Sequence, residues 1–398
     1  MKFLYHHRTQ ADDGQAVHIR SMQAALVQLG HEVQEVGLVS QGSGEAQAQS
    51  GRSRWGWITR MPRFARELAE YAYGPLGRQR ILQAAAQFEP DLIYERYAFG
   101  NTAGVQAARR LGLPLVLEVN SPMVLELSRT RGLSFPGLAR KVERFVFTEA
   151  TRVCVVTEVL RDILLEEGVQ RENLVVTPNG VHLDQYDYAD RTASAVRARE
   201  DLGLPRELER PVLGFVGYYR DWHRLELAVE SLVRPGMEEA HLCLIGDGPA
   251  GPSIAARAAQ LGVSERVVFA GKRPHEAIPR LLPAFDLALV PAINPYASPL
   301  KLHEYMAAGV PTVAPRQPNL LEVLEHERDA LLFTPGEGEE LCASIERLVA
   351  EPELRRRLGA SARQTIEARD LTWEGNVRRV LDALPQSSRK LEPSEVNA

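Results

Sequence analysis

Residues 91–120, DLIYERYAFGNTAGVQAARRLGLPLVLEVN, contain one complete strand–helix–strand unit. The apolar runs 91–96 and 114–120 predict strands, and 102–111 has the spacing of an amphipathic helix. Gly112 stands just after that helix, where a left-handed C-cap is expected. Two strands joined through a helix in this way lie parallel, in a sheet that helices cover on both faces.

The same alternation continues along the first half of the chain, apart from the irregular stretch between residues 38 and 91. Gly30 and Gly168 stand at further expected C-caps. The other strands of this half are predicted at 2–6, 32–38, 152–157 and 173–178, with helices at 15–29, 137–150 and 158–167.

A second run of the pattern starts after a charged stretch at 184–210, which has a helical rhythm over 193–202. We therefore predict an N-terminal domain at 1–183 and a C-terminal domain at 184–365. Both are Rossmann-like, doubly wound parallel-sheet domains of the α/β class. Open sheets of this kind bind ligands at the carboxyl ends of their strands, so the chemistry is expected in a central cleft between the domains. The later elements are predicted as strands at 212–217, 241–246, 267–270, 287–290, 312–314 and 330–333, helices at 341–358 and 360–384, of which 366–384 packs back toward the N-terminal domain, and a disordered tail at 385–398.

Composition excludes several classes of protein. The chain has 398 residues and a net charge of −5, which argues against a nucleic-acid binder with a broad basic face. Its cysteines are far apart and show no metal-ligand spacing, and Cys154 and Cys243 lie in apolar runs typical of buried positions. No apolar stretch approaches the roughly 20 residues that a membrane span needs. We expect a cytoplasmic protein.

The stretch 291–314, PAINPYASPLKLHEYMAAGVPTVA, holds the most chemistry. A buried strand ends near its start and a helix begins near Pro299, so free backbone N–H groups and the positive end of the helix dipole could hold a diphosphate. Ser298 suits the N-cap and Pro299 the first helical position. Lys301 adds a positive charge there, and Glu304 could accept ribose hydroxyls. The alternative is a capped helix with ordinary surface charges.

This stretch resembles the donor-site signature of glycosyltransferase family 4, in which Ser-Pro-x-Lys-x-x-Glu precedes Ala-Ala-Gly-x-Pro-x-Val-Ala. Other blocks resemble the family in the same order: 177–181 (TPNGV), 215–217 (FVG), 244–249 (LIGDGP), 269–272 (FAGK), 284–291 (AFDLALVP) and, more loosely, 13–15 (DGQ) and 30–33 (GHEV). The resemblance covers nearly the whole chain and implies the two-domain GT-B fold.

The resemblance also implies roles for matching residues. Glu304 would hold the ribose, Lys272 would line the base pocket, and Gly14 would approach the phosphate and sugar from the other domain. The diphosphate would bind to Ser298, Pro299, Leu300 and Lys301. A nucleotide-diphosphate sugar would be the substrate, with no cofactor. No Asp-x-Asp pair or His cluster suggests a metal, so metal independence is expected.

Several positions depart from the family pattern. Tyr296 stands where many relatives have a Glu near the donor sugar. Tyr218 replaces an Arg that relatives aim at the diphosphate, and His223 most nearly replaces a Lys. Arg220 or Arg224 could restore the lost charge. We expect His223 to face the cleft, the alternative being a packed or exposed histidine.

In the N-terminal domain, Asn120 ends a strand where relatives often have a His near the reacting sugar. An amide can donate a hydrogen bond to a sugar hydroxyl or carbonyl but cannot act as a base near neutral pH. Glu95 and Arg96 end the preceding strand, and we expect them, with His18, on the acceptor side. Alternatively, Glu95 and Arg96 pair with each other or with a structural neighbour.

The segment 51–66, GRSRWGWITRMPRFAR, is basic and aromatic and lacks acidic residues. It could sit at an anionic membrane surface, where a lipid-linked acceptor would be met. It could equally be a mobile loop that closes over the acceptor, or a solvated loop that packs its Trp residues on the domain.

Family membership implies retention of anomeric configuration, by front-face displacement in which the leaving diphosphate helps to deprotonate the acceptor hydroxyl. We take Asn120, His223 and Lys301 as catalytic candidates. We expect a UDP-sugar donor, or next a GDP-sugar, and a glycan, lipid-linked or small-molecule acceptor. Rival interpretations are a nucleotide-sugar epimerase or a phosphorylase on the same fold, and a non-catalytic sugar-nucleotide-binding protein.

Overall fold

The computed structural model describes residues 1–9, 14–37 and 62–385. The chain divides into two compact units. The N-terminal unit comprises Met1–Pro178 with Glu374–Ala398, and the C-terminal unit comprises Asn179–Trp373. The first boundary between the two units thus falls after Pro178, whereas the sequence predicts the domain boundary after residue 183. Most of the tail at 385–398 and of the basic segment at 51–66 lies outside the described residues.

Within the described residues, the N-terminal unit contains six strands: β1 (Lys2–His6), β2 (Glu32–Val36), β3 (Leu92–Arg96), β4 (Leu115–Val119), β5 (Arg152–Val155) and β6 (Leu174–Val176). They form one sheet in the order β2-β1-β3-β4-β5-β6, and every neighbouring pair is parallel. Each residue of β3 and β4 is buried, because helices cover both faces of the sheet centre.

The helices before the first division are α1 (Gly14–Gln28), α2 (Arg63–Phe88), α3 (Ala103–Leu111), α4 (Met123–Thr130), α5 (Pro136–Glu149) and α6 (Glu158–Glu166). Gly112 caps α3 with a φ of 67°, and its N–H donates to the carbonyl of Ala108, which confirms the predicted left-handed cap.

The helix α2 corrects the interpretation of residues 39–90 as irregular throughout. Gly74, Pro75 and Gly77 inside it disfavour helices and hide it from pattern analysis. The glycines allow α2 to pack closely on the start of α3. A Cβ at Gly74 would lie 2.8 Å from the Thr102 hydroxyl, and one at Gly77 would lie 2.8 Å from the Ala103 Cβ.

The strands described in the C-terminal unit are β7 (Val212–Val216), β8 (His241–Ile245), β9 (Val267–Gly271), β10 (Leu287–Leu289), β11 (Thr312–Pro315) and β12 (Ala330–Phe333). They form a second parallel sheet in the order β12-β11-β10-β7-β8-β9. The two sheets confirm the predicted doubly wound α/β class.

The helices from Arg191 onward are α7 (Arg191–Leu202), α8 (Glu226–Ser231), α9 (Gly251–Gln260), α10 (Ile278–Leu281), α11 (Leu300–Ala307), α12 (Pro318–Leu321), α13 (Gly338–Ala350), α14 (Pro352–Ala368) and α15 (Trp373–Ala383). One layer of the core packs β-strand residues such as Phe215 and Leu331 against α8, α9 and α13. The other packs Ala288 and Ala314 against α7, α10, α11 and α14.

The predicted helices 341–358 and 360–384 are wrong in their boundaries. The first helix ends at Ala350, because Pro352 has no backbone N–H to donate and disfavours a helical conformation in the residue before it. The helix α14 starts at Pro352. Gly359 lies inside α14 rather than between helices. A Cβ at that position would collide with the carbonyl oxygen of Gly309. Gly359 therefore allows close packing against Gly309 and does not separate two helices.

The three cysteines are buried and free, as predicted for Cys154 and Cys243. In the part of the chain that the structure describes, no helix is both long enough and apolar enough to cross a membrane.

Candidate functional site

The loops after β7 and β8 pass very close to each other. Gly217 and Gly246 follow these strands with φ angles of 140° and 134°, which side chains rarely adopt. The Gly217 N–H donates to the carbonyl of Ile245 at 2.9 Å, and a Cβ on Gly246 would lie on the carbonyl oxygen of Gly217. Backbone atoms therefore form this part of the sheet edge.

Lys301, in the first turn of α11, reaches the same loop. Its Nζ lies 3.8 Å from the centre of the Phe215 ring, and a Cβ at Gly217 would lie 2.8 Å from it. Burial lowers the pKa of Lys301 to about 7, although Glu304 acts to raise it. No carboxylate of the described residues forms an ion pair with this half-buried amine. The position is therefore suited to an anionic ligand.

The residue that caps the N-terminus of α11 differs from the predicted one. Pro299 is the N-cap and Leu300 the first helical residue, so the assignment of Ser298 as N-cap is wrong. The Ser298 hydroxyl instead accepts a hydrogen bond from the Asn179 N–H at 3.1 Å, and the Asn179 amide donates to the Ser298 carbonyl. Since Pro299 has no hydroxyl, no side chain caps α11.

Two backbone N–H groups remain at this helix end. Those of Leu300 and Lys301 donate no hydrogen bond to any described residue. Together with the positive end of the helix dipole and the Lys301 amine, they form an arrangement that favours a phosphate-like anion.

Glu304 lies one turn further along α11 and is only 5% exposed. Its Oε1 lies 2.6 Å from the Nε2 of His275, which belongs to the turn after β9. A buried carboxylate held in one orientation is not an ordinary surface charge, so the alternative interpretation of this helix does not fit its burial.

The loop after β7 carries the residues that depart from the family pattern. His223 is packed, the alternative to the expected cleft orientation: it is 6% exposed, and its ring lies edge-on to Phe215 at 5.1 Å. Its Nδ1 accepts a hydrogen bond from the Arg220 N–H at 3.2 Å. Burial, then the charges of Lys301 and Arg220, lower the pKa of His223 to about 3, so the ring is neutral near pH 7.

The two candidate arginines in this loop differ. The exposed Arg220 guanidinium lies 5.0 Å from the Tyr218 ring, whereas Arg224 donates to the Gly336 carbonyl at 3.1 Å.

Of the other expected donor-site positions, Lys272 follows β9, and its exposed amine lies 3.2 Å from the Asp247 carboxylate after β8. Tyr296 is buried.

A second cluster surrounds Glu118, near the carboxyl end of β4 in the N-terminal unit. The residue is 2% exposed. Among the described residues, its carboxylate oxygens contact the hydroxyls of Tyr5 (3.2 Å) and Tyr94 (3.1 Å), the guanidinium of Arg96, the amide nitrogen of Asn120 (2.6 Å) and Nδ1 of His18 (3.3 Å).

The protonation states in this cluster follow from burial and neighbouring charge. Burial opposes ionisation of Glu118, but His18, Arg96 and the hydrogen bonds it accepts hold its pKa below the ordinary value. Burial lowers the pKa of His18 to about 4, so His18 is neutral near pH 7. Burial and the Glu118 charge raise the pKa values of Tyr5 and Tyr94, which therefore remain hydrogen-bond donors.

His18 and Arg96, expected on the acceptor side, thus meet the catalytic candidate Asn120 at Glu118, whereas Glu95 does not. Glu95 is fully buried and accepts hydrogen bonds from His6 Nδ1 (2.5 Å), Asn101 Nδ2 (2.9 Å) and the Gly104 N–H (3.1 Å). This matches the alternative in which it pairs with structural neighbours. Gly14 is the exposed first residue of α1, and residues 10–13 before it lie outside the described residues.

Sequence reasoning missed Glu118, His275 and Asn179. Glu118 carried a readable signal, a carboxylate inside the otherwise apolar strand 115–119. Asn179 was noted only as part of a motif. Nothing local marks His275, since its partner Glu304 lies on another element.

Two family models match consecutive parts of the chain. The model described as Glycosyltransferase Family 4 matches residues 13–185, and the one described as Glycosyl transferases group 1 matches residues 197–365. The first match includes Glu118 and every residue of its cluster except Tyr5, and the second includes Lys301 and Glu304.

Curated relatives are moderately similar. The 2-deoxystreptamine glucosyltransferase of Streptomyces kanamyceticus is 30% identical over 257 residues, which are 63% of this chain and 65% of the relative. The D-inositol 3-phosphate glycosyltransferase of Acidothermus cellulolyticus is 27% identical over 318 residues, 76% of this chain and 69% of the relative. The chain therefore spans slightly less than two thirds of the first relative's length.

A solved structure matches over almost the full length. HepE of Anabaena, in complex with UDP, has a TM-score of 0.71 and 20% identity and covers 96% of this chain and 99% of its own. At this identity the likeness shows the fold, which is GT-B. With the two family models matching in order on two doubly wound units, the chain belongs to glycosyltransferase family 4.

Proposed function

We propose that this protein is an enzyme that transfers a sugar from a nucleotide-diphosphate sugar to an acceptor hydroxyl, with retention of configuration and without a metal. The observation that carries the proposal is the anion position of the C-terminal unit. There the half-buried Lys301 amine, which contacts the Phe215 ring, has no hydrogen-bond or ion-pair partner among the described residues. The N–H groups of Leu300 and Lys301 donate no hydrogen bond to any of these residues either. A diphosphate would supply that partner.

The nucleoside end of the donor is assigned to Glu304 and Lys272. Glu304, oriented by His275, offers carboxylate oxygens that can accept ribose hydroxyls. We favour a UDP-sugar, because HepE was solved with UDP and with UDP-glucose. A GDP-sugar is the next candidate.

The acceptor is proposed to be a polyhydroxylated molecule. The relatives' names contain 2-deoxystreptamine and D-inositol 3-phosphate, both six-membered carbon rings with several hydroxyl groups. Small cyclitols are therefore the first acceptors to test, before glycans and lipid-linked sugars.

In the proposed mechanism the protein positions the substrates and stabilises the leaving diphosphate. Lys301, the α11 N-terminus and Arg220 would stabilise the charge that develops as the sugar–phosphate bond breaks. An oxygen of the diphosphate would take the proton of the acceptor hydroxyl. His223 is neutral and packed on Phe215, so its proposed contribution is to hold the loop that carries Arg220.

A binding experiment tests the donor assignment. The melting temperature is measured with UDP-, GDP-, ADP- and TDP-sugars, since a ligand that binds the native state raises it. We expect one donor class to raise the melting temperature of the wild type and of Lys141→Met, an exposed lysine of the N-terminal unit, but not that of Lys301→Met. Equal shifts in all three proteins would contradict the assignment.

Turnover is tested with that donor and the acceptor panel, and NMR of the product reports its anomeric configuration. We expect Lys301→Ala and Glu304→Ala to be strongly impaired while remaining folded. Isomerised donor without a new glycoside would indicate an epimerase, and donor binding without turnover would indicate a non-catalytic protein. Full activity in EDTA is expected, and its loss would contradict metal independence.

Contact of segment 51–66 with a membrane at the cytoplasmic face is a separate proposal. Its basis is the basic and aromatic sequence alone. Replacement of Arg52, Arg54 and Arg60 should weaken binding to anionic liposomes, and unchanged partitioning would contradict it.

A further inference from the structure

The orientation of the Asn120 side chain is fixed by its partner. An ionised carboxylate can only accept hydrogen bonds, so the atom of Asn120 that lies 2.6 Å from Glu118 Oε1 must be the amide nitrogen. The other end of the amide, Oδ1, receives no hydrogen bond from any described residue, and Asn120 is half-buried. The amide therefore presents a hydrogen-bond acceptor.

Glu118 itself cannot easily turn. The hydroxyls of Tyr5 and Tyr94 donate to one of its oxygens, and Arg96 donates to the other. These three donors come from β3, which neighbours β4 in the sheet, and from β1, which lies on the other side of β3. The carboxylate is consequently held in one orientation by side chains of β1 and β3.

We propose that Glu118 is a positioning residue that holds Asn120 with its carbonyl oxygen toward the substrate, so that this position binds a substrate hydroxyl that donates a hydrogen bond. The inference rests on the proposed function and sharpens it. The sequence predicts Asn120 as a donor to a sugar; because Glu118 takes one of the two amide hydrogens, the carbonyl oxygen is offered to the substrate beside the remaining hydrogen. Asn120 stands just beyond the carboxyl end of β4, where parallel sheets bind ligands.

The variant Asn120→Asp gives the inference a distinctive pH signature. Two carboxylates at this distance cannot both be ionised, so they share a proton with an apparent pKa that belongs to the pair. While that proton is present, the new side chain can donate to Glu118 and still present a carbonyl oxygen, as Asn120 does. Once it is lost, repulsion displaces the side chain. The other titratable groups that act on Glu118 or are acted on by it are Tyr5, His18, Tyr94, Arg96 and Cys154, and Glu35 acts in turn on Tyr5.

The test compares the wild type with Asn120→Asp, Asn120→Ala and Glu118→Gln at saturating donor from about pH 5 to about pH 8.5. For Asn120→Asp, the acceptor kcat/KM relative to wild type should fall by about tenfold per pH unit above the apparent pKa of the pair. Asn120→Ala should show a constant loss. Glu118→Gln, which frees the Asn120 amide to turn over, should lose about tenfold or more at every pH, because a hydrogen bond to a charged group is removed.

Two further measurements keep the outcomes distinct. A cooperative melting transition and a donor-induced rise in melting temperature should be retained in all three variants, which shows that they fold. The melting temperature of Asn120→Asp relative to wild type should also fall with rising pH. A profile parallel to that of the wild type in activity and in melting temperature would overturn the inference, as would wild-type kinetics in Glu118→Gln. If the wild type transfers no sugar to any acceptor, the proposed function fails, and the melting temperatures alone decide the positioning role.

Discussion

The imidazole Nε2 of His275 lies 2.6 Å from Oε1 of Glu304, the residue to which the ribose is assigned. Glu304 is buried in α11, whereas the His275 side chain is one-third exposed. The pair therefore joins a buried carboxylate to a solvent-accessible donor, and the orientation of Glu304 depends on a residue outside its own helix.

His275→Ala should raise the donor KM by about three- to tenfold with little change in kcat, since it removes one hydrogen bond worth about 1 kcal/mol. Steady-state kinetics with the donor that binds will measure this. Glu276→Ala, an exposed neighbour in the same turn, is the matched control and should behave as wild type. A wild-type KM in His275→Ala would show that Glu304 needs no support from this side.

Donor binding should weaken as pH rises through about 7. Burial lowers the pKa of Lys301 to about 7, so this amine is charged below that pH and neutral above it. A bound diphosphate favours the charged form, so binding takes up a proton and Kd should increase by up to about tenfold per pH unit on the alkaline side.

Lys301→Arg removes the titrating group but keeps the charge, because a guanidinium stays protonated in this range. Its donor affinity should therefore lose the dependence on pH, and Lys301→Met should bind weakly at every pH. Titration calorimetry between about pH 6 and about pH 9 measures all three proteins. The same alkaline loss of affinity in Lys301→Arg would assign it to another group.

Gly246→Ala should destabilise the C-terminal unit far more than Gly262→Ala. Both glycines have positive φ, 134° and 70°, but an added Cβ meets the Gly217 backbone at position 246 and nothing within 4 Å at position 262. We expect a cost of about 1 kcal/mol at Gly262, from backbone conformation alone, and more than about 3 kcal/mol at Gly246. Scanning calorimetry compares them, and equal losses would argue against the close approach of the two loops.

How much the sequence can predict depends on whether the cause is local. Buried parallel strands are continuous apolar runs, so β4 and β12 can be recognised from composition and length. The helix α2 cannot, because the residues that allow its close packing on α3, Gly74 and Gly77, are also those that disfavour helices in isolation.

The candidate site divides in the same way. The anion position at α11 is encoded within a few residues, and its motif predicts it. The Glu118 cluster brings together residues as far apart in sequence as Tyr5 and Glu118, separated by 113 positions. Strand order and register decide which polar residues near the strand ends lie close to one carboxylate. Neither can be inferred from the spacing of residues along the sequence.

Another buried carboxylate, Glu143 of α5, links stability to pH. It is 5% exposed, and its Oε1 accepts hydrogen bonds from the Tyr97 hydroxyl at 2.8 Å and from the Val124 N–H at 3.2 Å. Burial raises the pKa of Glu143 to about 7, above the ordinary value of 4.5. The native state therefore holds a proton that the unfolded chain releases, and the stability from this group is lost as pH rises from about 4.5 through about 7.

Glu143→Gln should remove this dependence, because its amide resembles the protonated carboxyl and never ionises. The melting temperature of the variant relative to wild type should rise from about pH 5 to about pH 8, corresponding to at most about 3 kcal/mol of unfolding free energy. Glu166→Gln, at an exposed position of α6, should show a difference that does not change with pH. If Glu143→Gln also differs from wild type by a constant amount at every pH, the carboxyl is ionised in the native state throughout, and the hydrogen bonds from Tyr97 and Val124 outweigh its burial.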